Sequence, residues 1–183
     1  MDFLNAIILI SNFIIVPAIT YGSQLALGAI GVTLIYGVLR FANFAYGDLM
    51  AFGTMIVILF TWYLQSKGIT FGLLPTALLA LPIGILFTIA ISLFFDKTIF
   101  EYYREKKSNP VTFIVVSLGI MFVLNAVVRI IIGPNDINFM DGHKFIMKAR
   151  EFKQLTGLNE GLAIKSTQVI TLITTIITCS LLF

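Results

Sequence analysis

The chain has 183 residues, of which 58% are apolar and only 11% are charged, and its mean hydropathy is +1.00. Soluble domains have about 45–50% apolar and about 25% charged residues. The composition therefore excludes an ordinary water-soluble domain and predicts an all-α, polytopic membrane protein. The formal net charge is +3, and the basic residues lie between the apolar runs, which argues against a nucleic-acid partner.

The residue types that several kinds of chemistry require are scarce. His143 is the single histidine and Cys179 the single cysteine. We therefore predict no metal centre, no internal disulfide, no histidine-based catalytic triad and no cofactor. The N-terminus has no basic residue before its first apolar run, so we interpret the first helix as retained in the protein, not as a signal peptide.

The first apolar run, residues 3–39, contains no charged residue before Arg40. As one helix it would extend about 55 Å, against a hydrocarbon core of about 30 Å. Pro17 and the group Thr20-Tyr21-Gly22-Ser23 after it predict a break. We therefore expect one helix over 3–19 and a second over 22–39.

Four more apolar runs follow, separated by polar segments. They cover residues 49–66, 73–95, 111–132 and 167–183. Pro75 and Pro82 predict a kink in the second of these four runs. About six membrane segments result, in a single transmembrane domain over 1–183. The last run is barely long enough to span and stops abruptly.

The two longest polar segments determine the expected topology. With a cytoplasmic N-terminus, residues 96–110 form a cytoplasmic loop and residues 133–166 a periplasmic loop. The numbers of basic residues on the two faces do not separate the orientations, although the short loops favour a cytoplasmic N-terminus. Residues 144–155 are expected to form a connecting helix, with an amphipathic helix on the membrane surface as the alternative.

Small residues recur every three or four positions in the second and fourth predicted helices. The first group is Gly22, Ala26, Ala29, Thr33 and Gly37, and the second is Ala80, Gly84, Thr88 and Ser92. This spacing places each group in one narrow stripe, where another helix can approach closely. Helix packing is the simpler interpretation, and the wall of a solute pathway is the alternative.

The segment from Tyr36 to Asp48 places polar residues between two apolar runs. Its candidate pathway or structural residues are Tyr36, Gly37, Arg40, Asn43, Phe44, Gly47 and Asp48. Irregular backbone survives at membrane depth only when it is buried in protein or lines a cavity. We predict that Asp48 caps the third helix and that Asn43 and the glycines brace a tight or re-entrant turn. An ordinary interfacial loop is the alternative.

Residues 27–48 resemble the signature of branched-chain amino-acid ABC transporter permeases. Members of that family read G-x-x-(L/M)-(I/V)-Y-G followed by (I/V)-N-F-A-H-G-(D/E). The similarity continues at 100–104, 117–120 and 133–136, so it covers roughly residues 20–136 in order. Two departures are that Tyr46 replaces the family's usual histidine and that the motif at 100–104 is loose. We identify the chain as the N-terminal portion of such a permease.

This resemblance implies a permease subunit of an ABC importer for branched-chain or related amino acids, in a bacterial-type plasma membrane. Family members have eight helices and work with a second permease, two ATP-binding subunits and a periplasmic solute-binding protein. ATP hydrolysis would occur in those partners, so the chain itself would not be an enzyme. Its sequence contains no Walker-type glycine loop.

Two other classes stay open as alternatives. A secondary transporter driven by an ion gradient would need an intramembrane carboxylate or an equivalent relay, for which Asp48 is the acidic candidate. A membrane enzyme or respiratory subunit would need histidine ligands for haem, or clustered acidic and hydroxyl groups, and the sequence supplies neither.

Overall fold

The computed structural model describes residues 2–70, 74–135, 139, 141, 145–156 and 160–182. Four helical stretches in this part of the chain are long and apolar enough to cross a membrane: Asn5–Leu39, Tyr46–Ser66, Ala77–Glu105 and Pro110–Ile132. The prediction of an all-α polytopic membrane protein is confirmed. His143 lies outside the described residues.

Eight α-helices follow one another along the described part of the chain. They are α1 (Asp2–Ile10), α2 (Val16–Leu39), α3 (Tyr46–Ser66), α4 (Ala77–Phe95), α5 (Glu101–Glu105), α6 (Pro110–Ile132), α7 (Ala149–Thr156) and α8 (Ser166–Leu182). Two π-helical stretches, Ser11–Ile15 and Asp96–Phe100, connect α1 to α2 and α4 to α5 without interruption. The chain divides into two compact units, one comprising residues 1–30, 71–75 and 140–183, the other 31–70 and 76–139.

The predicted break near Pro17 is wrong, because residues 2–39 form one continuous helical run. Pro17 is the second residue of α2, and the π-helical stretch Ser11–Ile15 ends two residues before it. Proline lacks an N–H, and the wider π turn before it accommodates the missing hydrogen bond. The polar group that favoured a turn bonds within the helix instead: Thr20 Oγ1 donates to the Val16 carbonyl at 2.8 Å.

The segment expected to be a loop over 96–110 is mostly helical. A π-helical stretch and α5 extend α4, so that the whole helix has 29 residues. Arg104 donates two hydrogen bonds to the carboxylate of Asp96, at 2.9 and 2.8 Å, from eight residues farther along the helix. The polar residues therefore prolong a membrane helix beyond its apolar part and do not end it.

Residues within the predicted loop 133–166 also form regular structure. Strand β1 (Phe145–Met147) pairs antiparallel with β2 (Ile164–Lys165), and α7 lies between them in the chain. The helix expected over 144–155 therefore begins later, at Ala149.

Two asparagines in the first helical run organise the first unit. Asn12 Nδ2 donates to the Gly161 carbonyl at 2.6 Å, and Asn12 Oδ1 accepts from the Ala163 N–H at 3.0 Å. Asn5, seven residues earlier and therefore near the same helix face, accepts from the Glu160 N–H at 3.4 Å. These side chains pair backbone groups that precede β2, in a segment without helical hydrogen bonds of its own.

In the second unit, α3 packs against both α4 and α6. Buried Gly53 of α3 meets buried Gly84 of α4, where an added side-chain carbon at Gly84 would lie 3.2 Å from the Gly53 carbonyl oxygen and would overlap Val57. A side-chain carbon at Gly53 would overlap the hydroxyl of Thr88. The two helices approach this closely because glycine has no side chain. Gly84 and Thr88 of the predicted α4 stripe thus lie at a helix contact.

The predicted stripe on α2 has a different environment. Its five members, Gly22, Ala26, Ala29, Thr33 and Gly37, are all exposed. No residue of α2 is buried in the described structure. Close packing of a helix on this stripe therefore stays a prediction.

Replacing Gly84 with alanine tests the α3–α4 contact. The added methyl group would press on Val57 and on the Gly53 carbonyl, so we expect Gly84→Ala to destabilise the protein by about 1–3 kcal/mol. Gly119→Ala is the matched control, because Gly119 lies within α6, is exposed and has no atom within 4 Å of an added carbon. We expect this control to be neutral or more stable by about 0.5–1 kcal/mol. Thermal unfolding in detergent measures both, and equal effects would contradict the packing described above.

Candidate functional site

The segment Arg40–Ala45, which connects α2 to α3, runs along the first turns of α6. Within the segment, Phe41 contacts Phe113 and the Phe44 N–H contacts Ser117. Just after the segment, Asp48 of α3 contacts Asn125 of α6. These positions lie about 5, 10 and 22 Å along the helix from its first residue, Pro110. The connection between α2 and α3 is therefore irregular and packs along the start of α6, whereas its depth in the membrane stays a prediction.

Phe41 anchors the start of the segment. Its side chain is 8% exposed and its ring centroid lies 5.7 Å from that of Phe100 and 5.2 Å from that of Phe113. The three rings belong to a buried cluster that also contains Ile120 and Leu124 of α6. This aromatic packing fixes the point at which the chain leaves α2 and turns along α6.

Hydrogen bonds from side chains satisfy the irregular backbone that follows. Asn43 Oδ1 accepts from the Ala45 N–H at 3.1 Å, and the Asn43 carbonyl accepts from the Tyr46 N–H at 3.4 Å. The Phe44 N–H donates to Ser117 Oγ at 3.2 Å. Because no water is available in a bilayer core, each of these pairings removes a cost of several kcal/mol.

Asp48 does not cap α3 as predicted. The helix begins at Tyr46, its N-cap is Ala45, and no side chain makes a cap hydrogen bond. Asp48 is the third residue of the helix, where its charge still lies near the positive end of the helix dipole. Its Oδ1 accepts instead from Asn125 Nδ2 at 3.0 Å, so the carboxylate joins α3 to α6.

Asn125 links this carboxylate to a guanidinium. Its Oδ1 accepts from Arg129 Nε at 2.8 Å, and the two residues lie four positions apart on one face of α6. The resulting polar row, Asp48–Asn125–Arg129, offsets an acidic charge inside the span with a basic charge nearer the helix end. Ordinary sequence reasoning missed Asn125 and the role of Ser117. The available signal was the presence of polar side chains within the apolar run of α6.

Two cavities border the segment, and Asn43 lines both. The first, of about 360 Å³, is lined mainly by apolar residues of α2, α3 and α4. The second, of about 490 Å³, lies between the end of α2 and the start of α3. Its polar lining comes from Thr33, Tyr36, Asn43 and Tyr46, and the rest is apolar or glycine. Both volumes lie in the range of small-molecule pockets.

The structure brings together four of the seven residues singled out in this segment. Tyr36, Asn43, Phe44 and Gly47 all line the second cavity. The other three, Gly37, Arg40 and Asp48, line neither of these two cavities. Arg40 lies with Arg104 in a separate cavity near the ends of α2 and α5, and Asp48 belongs to the polar row.

Tyr46, which replaces the family's usual histidine, contacts a glycine of α2. Its hydroxyl lies against Gly31, where any side-chain carbon would overlap it. This contact holds the phenol at the wall of the second cavity. Gly31 was not among the candidate site residues selected from the sequence, because Tyr46 is fifteen residues away, across the turn.

Removing Asn125 tests the polar row. In Asn125→Leu the Asp48 carboxylate loses its partner within the span, and we expect a loss of about 1–3 kcal/mol in stability. Replacing both residues with leucine removes the unpaired carboxylate as well, so the double variant should be less destabilised than the sum of the two single variants. Thermal unfolding of the four proteins in one detergent measures the coupling, and strictly additive effects would show that the hydrogen bond has no energetic role.

Comparison of the sequence with known protein families indicates a component of a transport system. A family model described as "Branched-chain amino acid transport system / permease component" matches residues 14–182. No curated protein and no solved structure matches the chain. The matched range includes α2, the connecting segment Arg40–Ala45 and α3 through α8. The chain therefore belongs to the family of branched-chain amino acid transport permease components.

Proposed function

We propose that the chain is the membrane-spanning permease subunit of an ABC importer for branched-chain or related amino acids. The pathway would form together with a second permease. Two ATP-binding subunits would hydrolyse ATP, and a periplasmic binding protein would deliver the solute. Membership of the permease family supports transport, and the cavity between the end of α2 and the start of α3 supports a pathway next to the segment Arg40–Ala45.

The lining of this cavity suits an amino acid with an apolar side chain. Val32 and Ile35 supply apolar surface, whereas the Asn43 amide and the hydroxyls of Tyr36 and Tyr46 supply hydrogen-bonding groups. A zwitterionic head group needs both donors and acceptors, and a branched aliphatic side chain needs only apolar contacts. The lining contains no Asp, Glu, Lys, Arg or His, so it would hold such a solute without a strong charge that resists release.

The positions of basic residues support a cytoplasmic location for the end of α2. Arg40 and Arg104 line one cavity, so the end of α2 and the end of α5 lie at the same membrane face. Lys97, Lys106 and Lys107 are exposed residues of the same region. Basic residues in short connections favour the cytoplasm. We therefore propose a plasma-membrane protein with the end of α2 on the cytoplasmic side and residues 133–166 on the periplasmic side. Because residues 2–39 form one continuous helical run, this orientation puts the N-terminus on the periplasmic side, opposite to the expectation from the sequence.

One observation favours an ion-gradient-driven secondary transporter as a second candidate. Asp48 is a carboxylate within the span, as such transporters require. Its hydrogen bond to Asn125, and the onward bond to Arg129, give it instead the surroundings of a structural ion-pair network. Dependence of uptake on ATP, with no effect of collapsing ion gradients, would separate the two functions.

Uptake of radiolabelled leucine by the assembled transporter tests the proposed pathway. Asn43→Ala removes an amide from the cavity, and we expect uptake per assembled complex to fall at least about tenfold, which corresponds to one hydrogen bond to a charged group. Gly47→Leu should reduce uptake similarly by filling the cavity, because a side-chain carbon at Gly47 meets no atom within 4 Å.

Matched variants control for changes unrelated to the cavity. Asn109→Ala removes an exposed amide at the start of α6 that makes no cap hydrogen bond, and Gly119→Leu adds a side chain on an exposed face of α6. Both should retain uptake near that of the wild type. Unchanged uptake in Asn43→Ala and Gly47→Leu, at equal assembly, would rule out this cavity as part of the pathway.

A further inference from the structure

A cavity of about 460 Å³ lies where α2 ends and α6 begins, within the second unit. It is lined by the apolar residues Val38, Leu39, Phe41, Pro110 and Phe113 and by the two basic residues Arg40 and Arg104. Because it adjoins the ends of two membrane-spanning helices, the cavity lies at a membrane face, at the level of lipid headgroups. It is separate from the two cavities that Asn43 lines.

Arg40 has an unused charge and a strained backbone. Its side chain is exposed and makes no hydrogen bond or ion pair with any residue in the described part of the chain. Its φ angle is 56°, in the left-handed region where glycine commonly follows a helix end. A residue with a side chain pays energy for that conformation. A ligand for the guanidinium outside the chain gives a reason for arginine at this position.

Arg104 is held in a fixed orientation beside Arg40. Its bidentate pair with Asp96 uses two of the five N–H groups of the guanidinium, and its side chain remains 46% exposed. The charged residues of this region are Arg40, Lys97, Arg104, Lys106 and Lys107 on the basic side and Asp96, Glu101 and Glu105 on the acidic side. The region therefore has a net positive charge even though Arg104 already has an acidic partner.

We propose that this cavity binds the headgroup of an anionic phospholipid. The phosphate oxygens would accept hydrogen bonds from Arg40 and from the free N–H groups of Arg104, since guanidinium groups match phosphate geometry. The acyl chains would lie along the apolar end of α2, where Val38 is 80% exposed. The apolar lining favours a lipid over a soluble phosphate, and the position at a membrane face provides the lipid.

Thermal unfolding of the intact protein in a neutral detergent tests this site. The unfolding midpoint is measured with added phosphatidylcholine and with an equal amount of phosphatidylglycerol. We expect phosphatidylglycerol to raise the wild-type midpoint by several degrees more, because a ligand that binds only the folded state stabilises it. Arg40→Gly should abolish this difference without lowering the midpoint in phosphatidylcholine, because glycine adopts the left-handed conformation without strain.

Three further proteins sharpen the test. Arg40→Lys should keep part of the difference, and Arg104→Gln should lose at least half of it without changing the turn at Arg40. Lys67→Gln, which removes an exposed cation just after α3, should keep all of it. Equal differences in the wild type, in Arg40→Gly and in Arg104→Gln would overturn the proposal.

Two other results would identify a different ligand. If inorganic phosphate at the same concentration reproduces the shift, the site binds a soluble anion and the lipid assignment fails. If phosphatidylglycerol has no specific effect and Arg40→Gly instead releases a partner subunit, the arginine makes a protein contact and the lipid assignment also fails. None of these measurements depends on transport, so they remain separate from the test of the proposed function.

Discussion

The second unit depends on one requirement: backbone groups without helical hydrogen bonds must find partners where no water can reach them. The segment between α2 and α3 meets it with two side chains. Asn43 accepts from the Ala45 N–H, and Ser117 of α6 accepts from the Phe44 N–H. The bond to Ser117 ties an irregular connection to a helix long and apolar enough to cross a membrane. The two cavities lined by Asn43 are a consequence, because a short irregular segment fills less space than a helix would.

The polar row and the glycine contact stabilise the same unit in different ways. Asp48 is joined to α6 through Asn125, and Arg129 offsets its charge from one turn farther along. On the other side of α3, Gly53 and Gly84 let α4 approach until only van der Waals contact separates the helices. Between lipid-exposed helices there is little hydrophobic driving force, so close packing and hydrogen bonds carry the association. Helix α3 therefore has one polar and one close-packed neighbour, and it positions the connecting segment that precedes it.

The aromatic cluster relates the pathway region to the proposed lipid site. Phe41 is buried against Phe100 and Phe113, and it directly follows Arg40, whose charge points to a ligand outside the chain. A lipid bound at Arg40 would therefore act on the end of α2 that also forms the second cavity. The lipid composition of the bilayer would then affect transport through the position of Arg40 and the end of α2.

Several features of this protein followed from its sequence, because they depend on composition and local order. The apolar fraction determined the membrane class, the apolar runs located α3, α4, α6 and α8, and the order of motifs between Leu27 and Asp136 indicated the permease family. Predictions from short sequence patterns were wrong where a neighbouring group offered the residue a different interaction. Pro17 and Thr20 are absorbed into a helix by a π turn and a side-chain hydrogen bond, and Asp48 bonds to Asn125 in place of a cap. Only the tertiary structure decided which polar residues meet, since Phe44 and Ser117, or Asp48 and Asn125, lie more than seventy positions apart. Hydrogen bonds across such separations depend on how helices pack, and no short stretch of sequence encodes that packing.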